Sequence, residues 1–230
     1  MKLQHLLLIL VLCASCGTAV DNYSIDIRCP ECPSAQVRLW RFTGIGIEPV
    51  ATTNMERGHA VFYGSVNEPV LMYIFVDGAT DYLPVFVENT DIDIDYAYHR
   101  PSRSTVAGSQ CQKKFSDFLQ SYSAYSDKGT GIVKMIENAT DNDDTLMLNG
   151  LAVNYEVLKR EETEFQTQYV LQNLSSPVAA YILCANLMYS LSSERLDSLI
   201  KVFPNEIKGH IYVKCADNYL KTMLKDSTAL

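Results

Sequence analysis

The spacing of apolar residues changes near Gly108, and this change predicts two kinds of structure in one chain. Before Gly108, short runs rich in Val, Ile, Phe and Tyr are separated by turn residues. Runs of this kind, spaced about ten residues apart, are typical of an antiparallel β-sandwich or partial barrel. After Gly108, apolar residues recur every three or four positions, as in amphipathic helices. The sequence therefore predicts an α+β fold, with an N-terminal antiparallel β-sandwich-like domain at 23–108 and an all-α helical domain at 109–230.

The alternating segments predict seven strands. In the second of them, period two places Val37 and Leu39 on one face and Trp40 and Phe42 on the other. The predicted strands cover residues 23–28, 36–43, 59–66, 70–76, 83–88, 91–96 and 103–107.

Capping residues mark the starts of the predicted helices. Ser109 and Ser176 are N-cap residues, and Pro177 suits the first helical position. The long second helix carries an apolar stripe that only Glu162 interrupts, and we interpret this stripe as core. The first predicted helix runs from Ser109 to Tyr125 and is followed by a loop, and the second begins at Asp143 or Asp144. The other predicted helices cover residues 177–189, 194–202 and 208–224, with a break at Pro204 between the last two.

The first sixteen residues have the pattern of an export signal. Lys2 precedes an apolar run at 6–12, and small residues follow before Cys16. The run is shorter than the about 20 apolar residues that a membrane-spanning helix needs. We therefore expect residues 1–15 to be a signal peptide and 16–22 a short tether.

The segment Cys13-Ala-Ser-Cys16-Gly resembles a bacterial lipobox, in which the cysteine after two small residues is acylated and becomes the mature N-terminus. It departs from that pattern at Cys13, where an aliphatic residue is usual. The resemblance implies that Cys16 is the lipid attachment site and that the membrane is a partner through this lipid. Several acyl chains on one residue give stable anchoring. Because no acidic run follows Cys16, we expect a periplasm-facing lipoprotein of the cell envelope, with a secreted, lipid-free protein as the alternative.

The charge distribution argues against a nucleic-acid partner. The formal net charge is -8, from 19 basic and 27 acidic residues, and basic residues occur as pairs such as Arg38 with Arg41. A protein that binds the phosphate backbone needs a continuous basic face. We therefore expect a protein or a small molecule as the further partner.

Cys29-Pro-Glu-Cys32 is the one closely spaced cysteine pair of the mature chain. Its C-x-x-C form can be oxidised in an exported protein. A catalytic pair needs a reactive cysteine at the start of a helix, where the dipole favours the thiolate. Here Pro33 and a β-patterned segment follow, so we predict a turn that holds a structural disulfide or two free thiols, with catalytic exchange as the alternative. Cys111, Cys184 and Cys215 are predicted to be core thiols.

The other candidate sites have simpler interpretations. Asp91, Asp93 and Asp95 alternate with isoleucine, which indicates the solvent face of a strand more than a calcium loop. The histidines are isolated and do not form a zinc-ligand pattern. Motifs for serine nucleophiles and phosphate-binding loops are absent from the sequence. We therefore predict no catalytic residue, no metal and no cofactor.

Several segments together resemble a known family. These are the runs Gly58-His-Ala-Val-Phe-Tyr-Gly64 to Pro69, Pro84-Val-Phe-Val-Glu88-Asn89, Asp91-Ile-Asp-Ile94, and Val106-Ala-Gly108-Ser109 leading into a helix. Over residues 23 to 120 the chain resembles domain-of-unknown-function family 4369. The resemblance implies the N-terminal β-domain of Bacteroidetes envelope lipoproteins, in which a helical connector and a thioredoxin-like or peroxiredoxin-like domain commonly follow. The present sequence has no thioredoxin-like segment, so the catalysis of longer relatives is not carried over.

These observations favour a non-catalytic, lipid-anchored envelope protein that acts as a binding or interaction module. One alternative is a thiol-disulfide redox protein, or an accessory to a thioredoxin-like oxidoreductase, that uses Cys29 and Cys32. Another alternative is a truncated relative of a redox lipoprotein.

Overall fold

The structure is a computed structural model that describes residues 22–32 and 34–228. The predicted signal peptide, the predicted lipid site Cys16 and all but the last residue of the predicted tether lie outside the described residues.

The described residues include eight strands in two four-stranded sheets. The first sheet has the order β4-β1-β7-β8 and the second has the order β3-β2-β5-β6. All neighbouring strands are antiparallel except β1 and β7, a parallel pair that the sequence did not predict. The strands are β1 (Tyr23–Arg28), β2 (Ala35–Phe42), β3 (Ile47–Met55), β4 (His59–Gly64), β5 (Val70–Val76), β6 (Leu83–Val87), β7 (Asp91–Asp95) and β8 (Thr105–Ala107).

The rest of the described chain is helical, which confirms the predicted α+β class. A π-helical turn, Leu183–Leu187, continues directly from the third helix. The α-helices are α1 (Gln110–Asp141), α2 (Thr145–Gln172), α3 (Pro177–Ile182), α4 (Ser193–Val202), α5 (Asn205–Lys208) and α6 (Ile211–Thr228).

The sheets and helices form three layers with the second sheet in the middle. Val37 and Leu39 of β2 are fully buried in the core. Phe42 points to the opposite face of β2, where its ring packs against Tyr181 and Tyr212 from the helices. The alternation predicted for this strand therefore gives the second sheet two apolar faces, and the apolar core continues from the sandwich into the helical layer.

Two polar side chains attach α6 to this sheet. The Tyr212 hydroxyl accepts a hydrogen bond from the Leu71 amide at 2.8 Å. His210 Nε2 donates to the Pro69 carbonyl at 3.0 Å, and its Nδ1 accepts from the Tyr212 amide at 3.3 Å. Both ring nitrogens are therefore paired in the neutral imidazole, and burial lowers the pKa of His210.

Strand β3 was missed in the sequence because its local signals favour a turn. Gly44 and Gly46 precede it, and Pro49 lies within it. Proline lacks an amide donor and is tolerated in sheets at edge strands and bulges. Strand β3 lies at the edge of the second sheet, and Pro49 faces Trp40 next to a register shift.

The end predicted for the first helix, Tyr125, was wrong, because α1 continues to Asp141 where a loop was expected. A helix of 32 residues is about 48 Å long. Helices α1 and α2 form an antiparallel hairpin, and Asp144 caps α2 by accepting from the Met147 amide at 3.0 Å. Residues 126–141 are mostly exposed, and their apolar stripe is short: Ile132, Ile136 and Ala139 follow two glycines, Gly129 and Gly131, that lower helix propensity.

Candidate ligand cleft

A cleft of about 740 Å³ opens between α2 and the segment that joins the π-turn to α4. Helix α2 lines it with polar residues at helical spacing, including Glu156, Arg160 and Thr163. Asn186, Ser190 and Arg195 contribute from the opposite wall. The two long helices hold the first wall in place because Phe118 of α1 stacks on Phe165 of α2.

Glu162 is the central acidic group of this cleft. Its side chain is only 13% exposed, and it accepts hydrogen bonds from the Tyr122 hydroxyl and from Lys159 Nζ at 2.8 Å. The Gln166 amide is a third donor at 3.4 Å. Burial and the neighbouring Glu162 carboxylate raise the pKa of Tyr122, which therefore remains a neutral donor. The donors balance the buried charge, so Glu162 fixes the wall of the cleft.

An ion pair joins the two walls. Arg195 of α4 lies 3.0 Å from Glu164 of α2, and Gln168 donates to the same carboxylate group at 2.9 Å. The hydrogen bond from Gln168 and the contact with Arg195 lower the pKa of Glu164. Both members of the ion pair are about half exposed, so it contributes little to stability. It marks where α4 and α2 approach each other across the cleft.

Glu156 and Arg160 differ from these paired groups. They lie one helical turn apart on the cleft face of α2, and neither makes an ion pair with any residue that the structure describes. The cleft thus offers one negative and one positive group beside the amide of Asn186. This arrangement can hold a polar ligand through charge-assisted hydrogen bonds.

The C-x-x-C pair lies in the turn between β1 and β2, away from the helices that line the cleft. Cys29 and Cys32 are joined by a disulfide with a Cα–Cα distance of 5.3 Å. The Cys29 amide donates to the Gly58 carbonyl at 2.7 Å, and Cys29 is fully buried. The disulfide therefore closes the turn between the two sheets, and the Cys29 amide ties this turn to the chain before β4.

The N-terminal part of the chain is similar to a known protein family. Residues 23–115 match the family model described as Domain of unknown function (DUF4369). This part is a DUF4369 domain. The match agrees with the resemblance seen over residues 23 to 120, and it ends within α1. No curated protein matches the sequence. All residues that line the cleft lie beyond the matched range, so the cleft belongs to the helical part that follows the DUF4369 domain.

Asp91, Asp93 and Asp95 lie on the solvent face of β7, as the alternation indicated. Ile92 and Ile94 point into the core, whereas Asp93 and Asp95 lie 3.4 and 3.1 Å from Arg28 of the neighbouring strand. Among the residues that the structure describes, no group of three or more His, Cys, Asp or Glu side chains is arranged to hold a metal ion. None of the described helices is long and apolar enough to span a bilayer.

The remaining cysteines lie among apolar residues. Cys111 and Cys184 are buried, and Cys215 is half-buried. Cys111 lies in the first turn of α1, where burial and the adjacent Glu88 raise the pKa of its thiol to about 12. At neutral pH this thiol is protonated and reacts slowly with electrophiles.

The cleft was not predicted from the sequence, because the apolar stripe of α2 indicates only the core and the polar residues that line the cleft resemble an ordinary solvent face. Glu162 was the one residue that could have indicated the cleft, because it interrupts the apolar stripe of α2. A charged residue inside an apolar stripe indicates a buried partner. That partner is Tyr122, 40 residues earlier in the chain, and sequence spacing alone does not connect the two.

Proposed function

We propose that this chain is a lipid-anchored protein of the cell envelope that binds a polar ligand in the cleft of α2 and has no catalytic activity of its own. Acylation of Cys16 would hold the folded part at a membrane. The observation that carries the binding role is the pair of opposite charges Glu156 and Arg160, which form no ion pair with any described residue and lie in a preorganised cleft of about 740 Å³.

The chemistry of the cleft favours a zwitterionic ligand. Arg160 is suited to a carboxylate, Glu156 to an ammonium group, and the Asn186 amide to a peptide-like group. A short peptide with free termini carries all three groups. The walls need little reorganisation to bind such a peptide. Glu162 already accepts hydrogen bonds from Tyr122 and Lys159, and Glu164 is already paired with Arg195.

The packing of the cysteine pair supports a structural role over catalytic exchange. Exchange requires an external thiolate to reach one sulfur of the disulfide. Cys29 is fully buried and Cys32 is 9% exposed. Reduction of insulin by the purified protein that is lost in a Cys29→Ser variant would contradict the non-catalytic part of this proposal.

Replacing the predicted lipid site tests the anchor. We expect a Cys16→Ser variant, produced in a bacterium that processes lipoproteins, to leave the detergent phase in Triton X-114 partitioning and to lose palmitate labelling. The matched control is Cys13→Ser, because Cys13 would leave with the signal peptide and its loss should not change partitioning. Mass spectrometry of the wild-type N-terminus should give an acylated residue 16. A wild-type protein that keeps Met1 or carries no lipid mass would refute the anchor.

Reversing one charge in the cleft tests the ligand site. We expect trialanine to bind the wild-type protein, measured by calorimetry, and Arg160→Glu to weaken this binding at least about tenfold, because an attraction of about 1.4 kcal/mol is lost. The control is Lys134→Glu, which makes the same charge change on an exposed face of α1 outside the cleft. Absence of binding at millimolar trialanine, or equal affinity in the Arg160→Glu variant, would contradict the proposed ligand class.

A further inference from the structure

Two cysteine side chains meet where the π-turn packs against α6. The Cys184 thiol lies 3.4 Å from the Gly44 carbonyl, to which it donates, and the Cys215 side chain lies beside it. Gly44 leaves room for both sulfurs. A Cβ atom at this residue would lie 2.8 Å from Cys215 Sγ and 3.2 Å from Cys184 Sγ. The two sulfurs therefore lie against the same point of the β2–β3 turn.

The two thiols differ in access to solvent. Cys184 is fully buried, whereas Cys215 is half-buried and lines an apolar groove of about 430 Å³. Ile45, Tyr189 and Tyr219 form other parts of the same groove. An external molecule can therefore reach the sulfur of Cys215 first. Burial, together with the neighbouring Cys215, raises the pKa of the Cys184 thiol, so Cys184 is a poor first nucleophile.

We propose that Cys184 and Cys215 are a second disulfide site of this chain, oxidised by a small external disulfide that enters the groove. The Cys215 thiol loses its proton to solvent, and its sulfur attacks one sulfur of the external disulfide and releases a thiolate. The released thiolate takes the proton of Cys184, and the sulfur of Cys184 attacks the sulfur of Cys215 and displaces the second thiolate, which is protonated by solvent. Two protein thiols are oxidised, and one external disulfide is reduced to two thiols.

The bond would connect two helical segments that are distant in sequence. Cys184 belongs to the π-turn after α3, and Cys215 belongs to the first turns of α6. The π-turn is an irregular segment of the kind that often marks functional sites in helices. The proposal does not rest on the cleft of α2 or on lipid anchoring, because neither Cys184 nor Cys215 lines that cleft and the bond can be tested in the purified chain.

Peptide mapping gives a direct test, because trypsin places the relevant cysteines in separate fragments. The full chain is incubated with oxidised glutathione, denatured, alkylated with N-ethylmaleimide and digested. Cys184 falls in fragment 161–195, Cys215 in 215–221, Cys111 in 104–113, and the pair Cys29 and Cys32 in 29–38. We expect fragments 161–195 and 215–221 to appear as one linked species that dithiothreitol separates, while fragment 104–113 remains alkylated.

Single variants define the order of the two steps. We expect Cys184→Ala to retain glutathione on Cys215 and Cys215→Ala to leave Cys184 unmodified, whereas Cys111→Ala should form the link like the wild-type protein. The wild-type digest decides the question even where a variant fails to fold. A wild-type protein in which both thiols stay alkylated, or in which Cys215 keeps glutathione without the link, would overturn the proposal.

Discussion

Replacing Gly108 by alanine should reduce the free energy of unfolding by more than about 4 kcal/mol or prevent folding. Gly108 has φ +98°, and a Cβ atom there would lie 1.9 Å from the Asp91 carbonyl oxygen and 3.2 Å from the Cα of Ile92. Both neighbours are backbone atoms of β7, so no side chain can rotate to make space. The variant must break the pairing of β7 with β8 or tilt α1 away from the sandwich.

A matched substitution separates this steric effect from the general effect of alanine. Gly150 lies in α2, and a Cβ atom at this residue would meet nothing within 4 Å. Because alanine has a higher helix propensity than glycine, Gly150→Ala should stabilise the protein by about 0.5–1 kcal/mol. Urea unfolding followed by circular dichroism measures both variants. A Gly108→Ala protein within 1 kcal/mol of the wild type would contradict the expected clash.

The sequence predicted those strands and helix starts that depend on residues close together in the chain. Strands with clear alternation, such as β2 and β7, were located because burial on one face selects residues with period two. Helix starts were located at Ser109, at Ser176 and at Asp143 or Asp144, of which Asp144 is the cap. Each of the three caps has a side-chain oxygen that accepts from an amide in the first turn.

The features that the sequence did not predict depend on contacts between residues that are distant in the chain. The edge strand β3 is extended because it pairs with β2, although its glycines and Pro49 favour a turn. Residues 126–141 are helical because they continue α1 beside α2, although Gly129 and Gly131 lower the helix propensity of this segment. The cleft lies between segments about 30 residues apart, and the approach of Cys184 to Cys215 depends on how α3 and α6 pack. Spacing within one segment carries no information about these contacts.

Glu88 connects the DUF4369 sandwich to the helical part, and its loss should be the second large effect. One carboxylate oxygen, Oε1, accepts from Ser109 Oγ at 2.9 Å, from the Gln110 amide, and from the Cys111 amide at 3.1 Å. These amides lie at the start of α1, where the helix dipole favours a negative charge. We expect Glu88→Ala to cost about 2–3 kcal/mol, because these partly buried donors lose their acceptor. Glu88→Gln should cost about 1 kcal/mol, because a neutral oxygen remains.

The reactivity of the Cys111 thiol measures the contact between Glu88 and the start of α1 independently of the free energy of unfolding. It donates to Glu88 Oε2 at 3.5 Å, and burial followed by the Glu88 charge raises its pKa to about 12. Without the carboxylate, burial is the remaining cause of the raised pKa, so the pKa of Cys111 should fall in Glu88→Gln. Alkylation of Cys111 in the native protein by iodoacetamide should then be faster at a given alkaline pH. Glu137→Ala, at an exposed residue of the same helix, should change neither stability nor alkylation. If alkylation of Cys111 in Glu88→Gln were as slow as in the wild type, Glu88 would not act electrostatically at this helix start.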